Sequence, residues 1–173
     1  MTKIAVIYKS KYGTTRQYAE WIASELDASL YEASSIKPVR LAEYDVVVYG
    51  GGLYAGGIIG VNLVTKNPCK SLVVFTVGAA DPSITDYSDI ISKNITKELL
   101  SKIKIFHLRG GLDYTKMTLI HRIMMSALKK SIEKKPPAER HDEDPVFLET
   151  YGKIIDFTDK STIAPLVEYV RAL

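Results

Sequence analysis

Ser10, Thr14 and Thr15 set three hydroxyls around one glycine in the stretch Ser10-Lys11-Tyr12-Gly13-Thr14-Thr15. The backbone pattern brings them together. An apolar, β-branched run, Ile4–Tyr8, ends just before them, and helical spacing (Tyr18, Ala19, Ile22, Ala23, Leu26) begins just after. A strand entering a helix through such a loop aims the unpaired N–H groups of the first turn at one point, where the helix dipole adds roughly half a positive charge. Gly13 keeps that point open to a ligand. The pattern predicts a site for a phosphate monoester. An ordinary strand-to-helix turn closed by an N-cap threonine is the alternative for the same residues. Two phosphate loops are excluded: Gly-Lys-Ser/Thr of a Walker loop is missing, and a dinucleotide fingerprint needs three glycines where this loop has one.

Two more segments could face such a ligand. Gly50-Gly51-Gly52-Leu53-Tyr54-Ala55-Gly56-Gly57 holds five glycines in eight residues, which predicts a loop with positive φ and close backbone approach to a flat ring. Tyr54 offers an aromatic face within it, worth about 0.5–1.5 kcal/mol beyond area burial when stacked. The third segment, Thr76-Val77-Gly78-Ala79-Ala80-Asp81, is built of small residues able to pass a ring edge. No acid, base or nucleophile stands out as catalytic. Cys69 has no nucleophile signature, and His107, His121 and His141 share no metal-ligand spacing.

Strands expected at Lys3–Tyr8, Ala28–Ala33, Asp45–Gly50, Leu72–Val77 and Ile103–Leu108 position these segments. They alternate with helices expected at Thr15–Leu26, Ile59–Thr65, Ser88–Lys102, Lys116–Lys134 and from Ile163 onward. The alternation predicts an α/β fold: a doubly wound, five-stranded parallel sheet in the order 2-1-3-4-5, with its ligand crevice at the carboxyl ends of strands one and three. At 173 residues the expectation is a single domain over residues 1–173. The polar, proline-rich stretch from Lys134 to Pro145 reads as a surface loop. A lone cysteine and the lack of a secretory or spanning apolar run fit a reducing cytoplasm. The net charge of +3 comes without a basic stripe interleaved with aromatics, so nucleic acid is not an expected partner.

Taken together, Ser10 to Ala19, Gly50 to Gly57 and Thr76 to Asp81 resemble the three FMN loops of the flavodoxin family. That resemblance implies FMN as cofactor, held by Ser10, Lys11, Tyr12, Gly13, Thr14, Thr15, Gly51, Gly52, Leu53, Tyr54, Ala55, Gly56, Thr76, Val77, Gly78, Ala79 and Asp81. Within the family the chain is most similar to the branch of the menaquinone-dependent protoporphyrinogen oxidase. The middle loop carries this closer match, together with Arg109-Gly110-Gly111-Leu112-Asp113-Tyr114 and the Met-rich helix after it. The branch implies an oxidoreductase passing electrons from a tetrapyrrole to a quinone, and a basic insertion after strand four. Here Gly78 to Asp89 carries three aspartates and no Lys or Arg, a departure from that pattern. A one-electron flavodoxin shuttling between redox partner proteins is the alternative; such carriers are acidic, whereas this chain is basic. A signalling receiver would need acidic residues where Lys9-Ser10-Lys11 and the triple glycine stand. Met117, Ile120, Met124 and Leu128 form an apolar stripe beside Arg122, Lys129 and Lys130. The Lys116–Lys135 helix therefore fits either a sheet-covering role, the commoner one, or peripheral contact with the inner face of a membrane.

Overall fold

The computed structural model describes residues 2–173. In chain order the strands are β1 (Ile4–Lys9), β2 (Ser29–Glu32), β3 (Val46–Tyr54), β4 (Gly57–Ile58), β5 (Ser71–Gly78), β6 (Lys104–Arg109), β7 (Gly111–Asp113) and β8 (Ile154–Asp156). The helices are α1 (Thr14–Leu26), α2 (Asn62–Thr65), α3 (Ser88–Asn94), α4 (Lys97–Leu100), α5 (Leu119–Lys134), α6 (Asp144–Thr150) and α7 (Ala164–Arg171). The main sheet runs β2-β1-β3-β5-β6, all parallel, which is the expected order once the five parallel strands are counted alone.

Alternate strand residues point to opposite faces, and each face is covered. On one side Val6, Val46, Val48, Val73 and Phe75 meet Tyr18, Ala19 and Ile22 of α1 and Leu166, Val167 and Val170 of α7. On the other, Ala5, Ile7, Val47, Tyr49 and Val74 meet Leu41, Tyr44, Val61, Val64 and Ile95. Burying each such aliphatic side chain contributes about 1.5–3 kcal/mol, so truncating Ile22 to Ala would cost about 2–5 kcal/mol. The register aligns Lys9 with Gly51, Gly51 with Thr76, and Thr76 with His107. The strands thus end in one row, and the predicted loops leave from the same edge of the sheet.

Several expectations are corrected. The glycine tract is not a loop. β3 continues through it to Tyr54 and turns back into β4, pairing Tyr54 with Gly57 and Leu53 with Ile58. Only Ala55 (φ 49°) and Gly56 (φ 77°) are left-handed, as the two central residues of a tight hairpin must be. At Gly50 the glycine is needed for space, because a Cβ there would lie 2.6 Å from the ring carbons Cε1 and Cε2 of Phe75. The helix expected over Ile59–Thr65 shrinks to α2. The one expected over Ser88–Lys102 breaks into α3 and α4, since Ile95 is buried in extended geometry and Thr96 caps α4, its hydroxyl accepting from the Leu99 N–H at 3.3 Å.

The expected surface loop ends in α6, with Pro145 in the helix's first turn, where a missing N–H costs nothing. β8 then pairs antiparallel with β7 as a small second sheet. α5 does not cover the sheet: of its residues only His121 and Ile132 are buried. Among the described residues, no helix is long and apolar enough to cross a membrane.

Candidate functional site

The loop between β1 and α1 is shaped for an anion. Gly13 is the N-cap of α1 at φ 101°, ψ −22°, and no side chain caps the helix. The Ser10 hydroxyl accepts from the Gly13 N–H at 3.0 Å, and the Gly13 carbonyl accepts from the Gln17 N–H at 3.0 Å, so the loop is pinned at both ends. An uncapped first turn keeps its amides directed outward. The capping-threonine alternative fails, because Thr14 and Thr15 lie inside the helix and face a cavity.

That cavity measures about 450 Å³, in the range of a small-molecule site. Lys11, Tyr12, Thr14 and Thr15 line its first side, and Gly52, Leu53, Tyr54 and Ala55 its second. Val77, Gly78, Ala79 and Asp81 form a third. Ser10, Gly13, Gly51, Gly56 and Thr76 are not among the lining residues. The Thr76 side chain is buried and lies 2.6 Å from His107 Nδ1, and the His107 ring stacks on Tyr87 with centroids 3.8 Å apart. Burial lowers the His107 pKa.

The remaining wall comes from elements outside the three predicted segments. α5 contributes His121, Met124, Met125 and Leu128; α6 contributes Val146, Phe147 and Thr150; Leu112, Ile155 and Phe157 close the top. His121, one of three histidines without shared metal-ligand spacing, is buried at the cavity wall. Its Nδ1 is hydrogen-bonded to the Tyr12 hydroxyl, and the Tyr54 ring meets it edge-on with centroids 4.8 Å apart. Lys11 Nζ lies 3.4 Å above the centre of the Tyr54 ring, a cation–π contact. Burial first, then the Lys11 charge, lowers the His121 pKa, while burial raises that of Tyr12. Both directions favour a neutral His121 beside a protonated Tyr12.

Arg109 anchors the other rim. Its Nη1 is 3.3 Å from Asp81 Oδ2, its Nε donates to the Ala79 carbonyl at 3.2 Å, and its guanidinium sits 3.9 Å from the Phe157 ring centre. Glu143 Oε1 accepts from the Asp81 N–H and from the Thr85 hydroxyl, both at 2.6 Å. Bonds from Ser83, and then the Arg109 charge, hold the Asp81 carboxyl below the usual range. The loop after β5 is therefore tied down by residues from β6 and from the start of α6. Chemically, the site offers an uncapped helix start with hydroxyls at one end and a long apolar chamber at the other.

The flavodoxin-domain family model matches residues 5–139. An uncharacterized protein of Methanocaldococcus jannaschii is 34% identical over 55 residues, which is 31% of this chain. The match spans 37% of that relative, well under half its length. Oxidised flavodoxin 2 from Bacillus cereus is similar in structure, at 19% identity and a TM-score of 0.46, covering 62% of this chain and 84% of that one. A flavoprotein from Lactobacillus acidophilus solved in complex with FMN is similar at 15% identity and a TM-score of 0.43, covering 63% and 93%.

Proposed function

The chain belongs to the flavodoxin-domain family, and from that premise we propose that it is an FMN-dependent oxidoreductase that delivers electrons to a quinone. One observation carries the reading: the uncapped start of α1 opens into the same cavity as Tyr54 and the small-residue loop after β5. The donor set fits a flavin mononucleotide. Thr14, Thr15 and the first-turn amides of α1 would hold its phosphate, with Ser10 fixing the loop that presents them. Residues 52–55 and 77–81 would flank its ring system. Bound there, FMN supplies the two-electron chemistry that no side chain of this site has.

The chain's own residues do the rest. Arg109 and Glu143 fix the 79–85 loop, so the edge it presents is rigid. Met124, Met125, Leu128, Val146 and Phe147 keep one side of the chamber apolar and exclude water. His121, hydrogen-bonded to Tyr12 on the cavity wall, would exchange a proton with a reduced acceptor.

The apolar wall supports the quinone side of the chemistry known from the protoporphyrinogen-oxidase branch. Its tetrapyrrole side fits less well. Asp81, Asp142 and Glu143 line the cavity and Arg109 is already paired with Asp81, a pattern that repels a polycarboxylate. Anaerobic reduction of the purified yellow protein, followed by mixing with menaquinone, tests the reading. Rapid reoxidation is expected. A colourless preparation that takes up no FMN would refute the cofactor, and a reduced protein that ignores quinone but reacts with a carrier protein would refute the enzyme.

A further inference from the structure

The face of α5 turned away from the cavity exposes a run of large apolar side chains. Leu119, Ile120 and Ile123 are 73%, 69% and 60% exposed, and Met124 and Leu128, at the cavity's edge, are 40% and 46% exposed. At 100° per residue, these side chains and Ala127 span one half of the helix surface, and Lys130 and Lys134 continue that same half at its C-terminal end. Between Lys116 and Lys135 the sequence places six Lys or Arg against a single acid, Glu133. Since the whole chain carries only +3, the rest of the molecule is net acidic. Lys129 pairs with Glu133, and Lys116 with Asp113, whereas Lys130, Lys134 and Lys135 form no ion pair among the described residues.

We propose that α5 is an interfacial helix that docks this protein on an anionic phospholipid bilayer, with Leu119, Ile120 and Ile123 entering the acyl boundary and Lys130, Lys134 and Lys135 meeting the headgroups. An exposed aliphatic face that ends in unpaired lysines suits a helix dipping into a membrane interface, where long lysine stems reach from the apolar level to the charged one. Charge argues against a second copy as the occupant. An antiparallel two-fold contact over this face would seat the unpaired lysines of each protomer against the aliphatic start of the other's α5, which carries no acid to meet them. Composition argues against a protein partner, because the exposed arc has no aromatic residue or arginine to anchor one. The docked face adjoins the cavity through Met124 and Leu128, so a lipid-soluble reactant would arrive at the chamber mouth directly. The membrane contact itself does not depend on the flavin reading.

Co-sedimentation of the full chain with phosphatidylcholine vesicles, with and without phosphatidylglycerol, tests the proposal. Binding is expected with phosphatidylglycerol, and it should fall steeply with added salt. Lys130→Gln and Lys134→Gln should each weaken it about fivefold. Ile120→Glu/Ile123→Glu should abolish it while leaving the thermal midpoint and flavin content unchanged, since both residues are exposed and outside the cavity lining. No sedimentation with anionic vesicles, or equal sedimentation of wild type and Ile120→Glu/Ile123→Glu, overturns the proposal. A lipid-free dimer that the same double variant disperses also overturns it, by showing that a second copy covers the face.

Discussion

Replacing Gly13 by Ala separates backbone geometry from contact chemistry in the anion loop. A Cβ at this position meets nothing within 4 Å, so no clash contributes and the whole effect arises from φ 101°. An L-residue held in the left-handed region costs about 1–2 kcal/mol. For a chain of this size, that lowers the melting midpoint of the FMN-loaded protein by about 2–8 °C. The same strain disfavours the loop conformer that presents the α1 amides, and apparent affinity falls with the population of the competent conformer. FMN should therefore bind about 5- to 30-fold more weakly, read by quenching of flavin fluorescence on titration. Gly152→Ala is the control: its φ of 82° and open surroundings impose similar strain away from the loop. It should lower the melting midpoint without moving the FMN titration. An unchanged FMN affinity in Gly13→Ala, or an equal loss in both variants, would refute the assignment of the α1 start as the phosphate site.

Gly50→Ala forces a methyl group against Phe75 and should destabilise by about 1–3 kcal/mol or more in urea unfolding. Adding Phe75→Leu should recover part of that loss, and strict additivity of the two would show that the ring is not the obstacle. Ala55→Gly removes left-handed strain of about 1–2 kcal/mol against roughly 0.4–1 kcal/mol of added unfolded-state entropy. It should be neutral to about 1 kcal/mol stabilising in the same assay, and clear destabilisation would refute the hairpin geometry. His107 and His121 both have lowered folded pKa values, so the unfolded chain binds their protons first as pH falls. Their contribution to stability is complete above the unfolded value of about 6.5 and declines as pH drops from there through the lowered folded values. His107→Gln should flatten that acid-side slope in melts across the window, and an unaltered slope would show that His107 does not carry it.

The first loop was legible in the sequence because its signals are local. An apolar run stops at Lys9, a glycine follows among hydroxyls, and helical spacing resumes at Tyr18. The parallel strands were legible for the same reason, each being a short buried run of β-branched residues. The glycines of β3 misled because their cause is distant: Gly50 makes room for a ring on the neighbouring strand, which local composition reports as flexibility. β7 and β8, three residues each, are too short for any periodic signal. The amphipathic pattern of α5 revealed an apolar arc without revealing whether it meets a sheet or solvent. His121 was missed because its partners, Tyr12 and Tyr54, come from two loops that only the folded sheet brings together. A histidine three residues after the capping Thr118, on a helix rich in methionine, was the one available hint.

The match to the family model ends at position 139, whereas α6, β8 and Phe157, which complete the chamber, follow it. The two ends of the pocket therefore come from separate stretches of the chain. Replacements in the C-terminal third would change which reactant gains entry while the cradle at the head of α1 stays as it is.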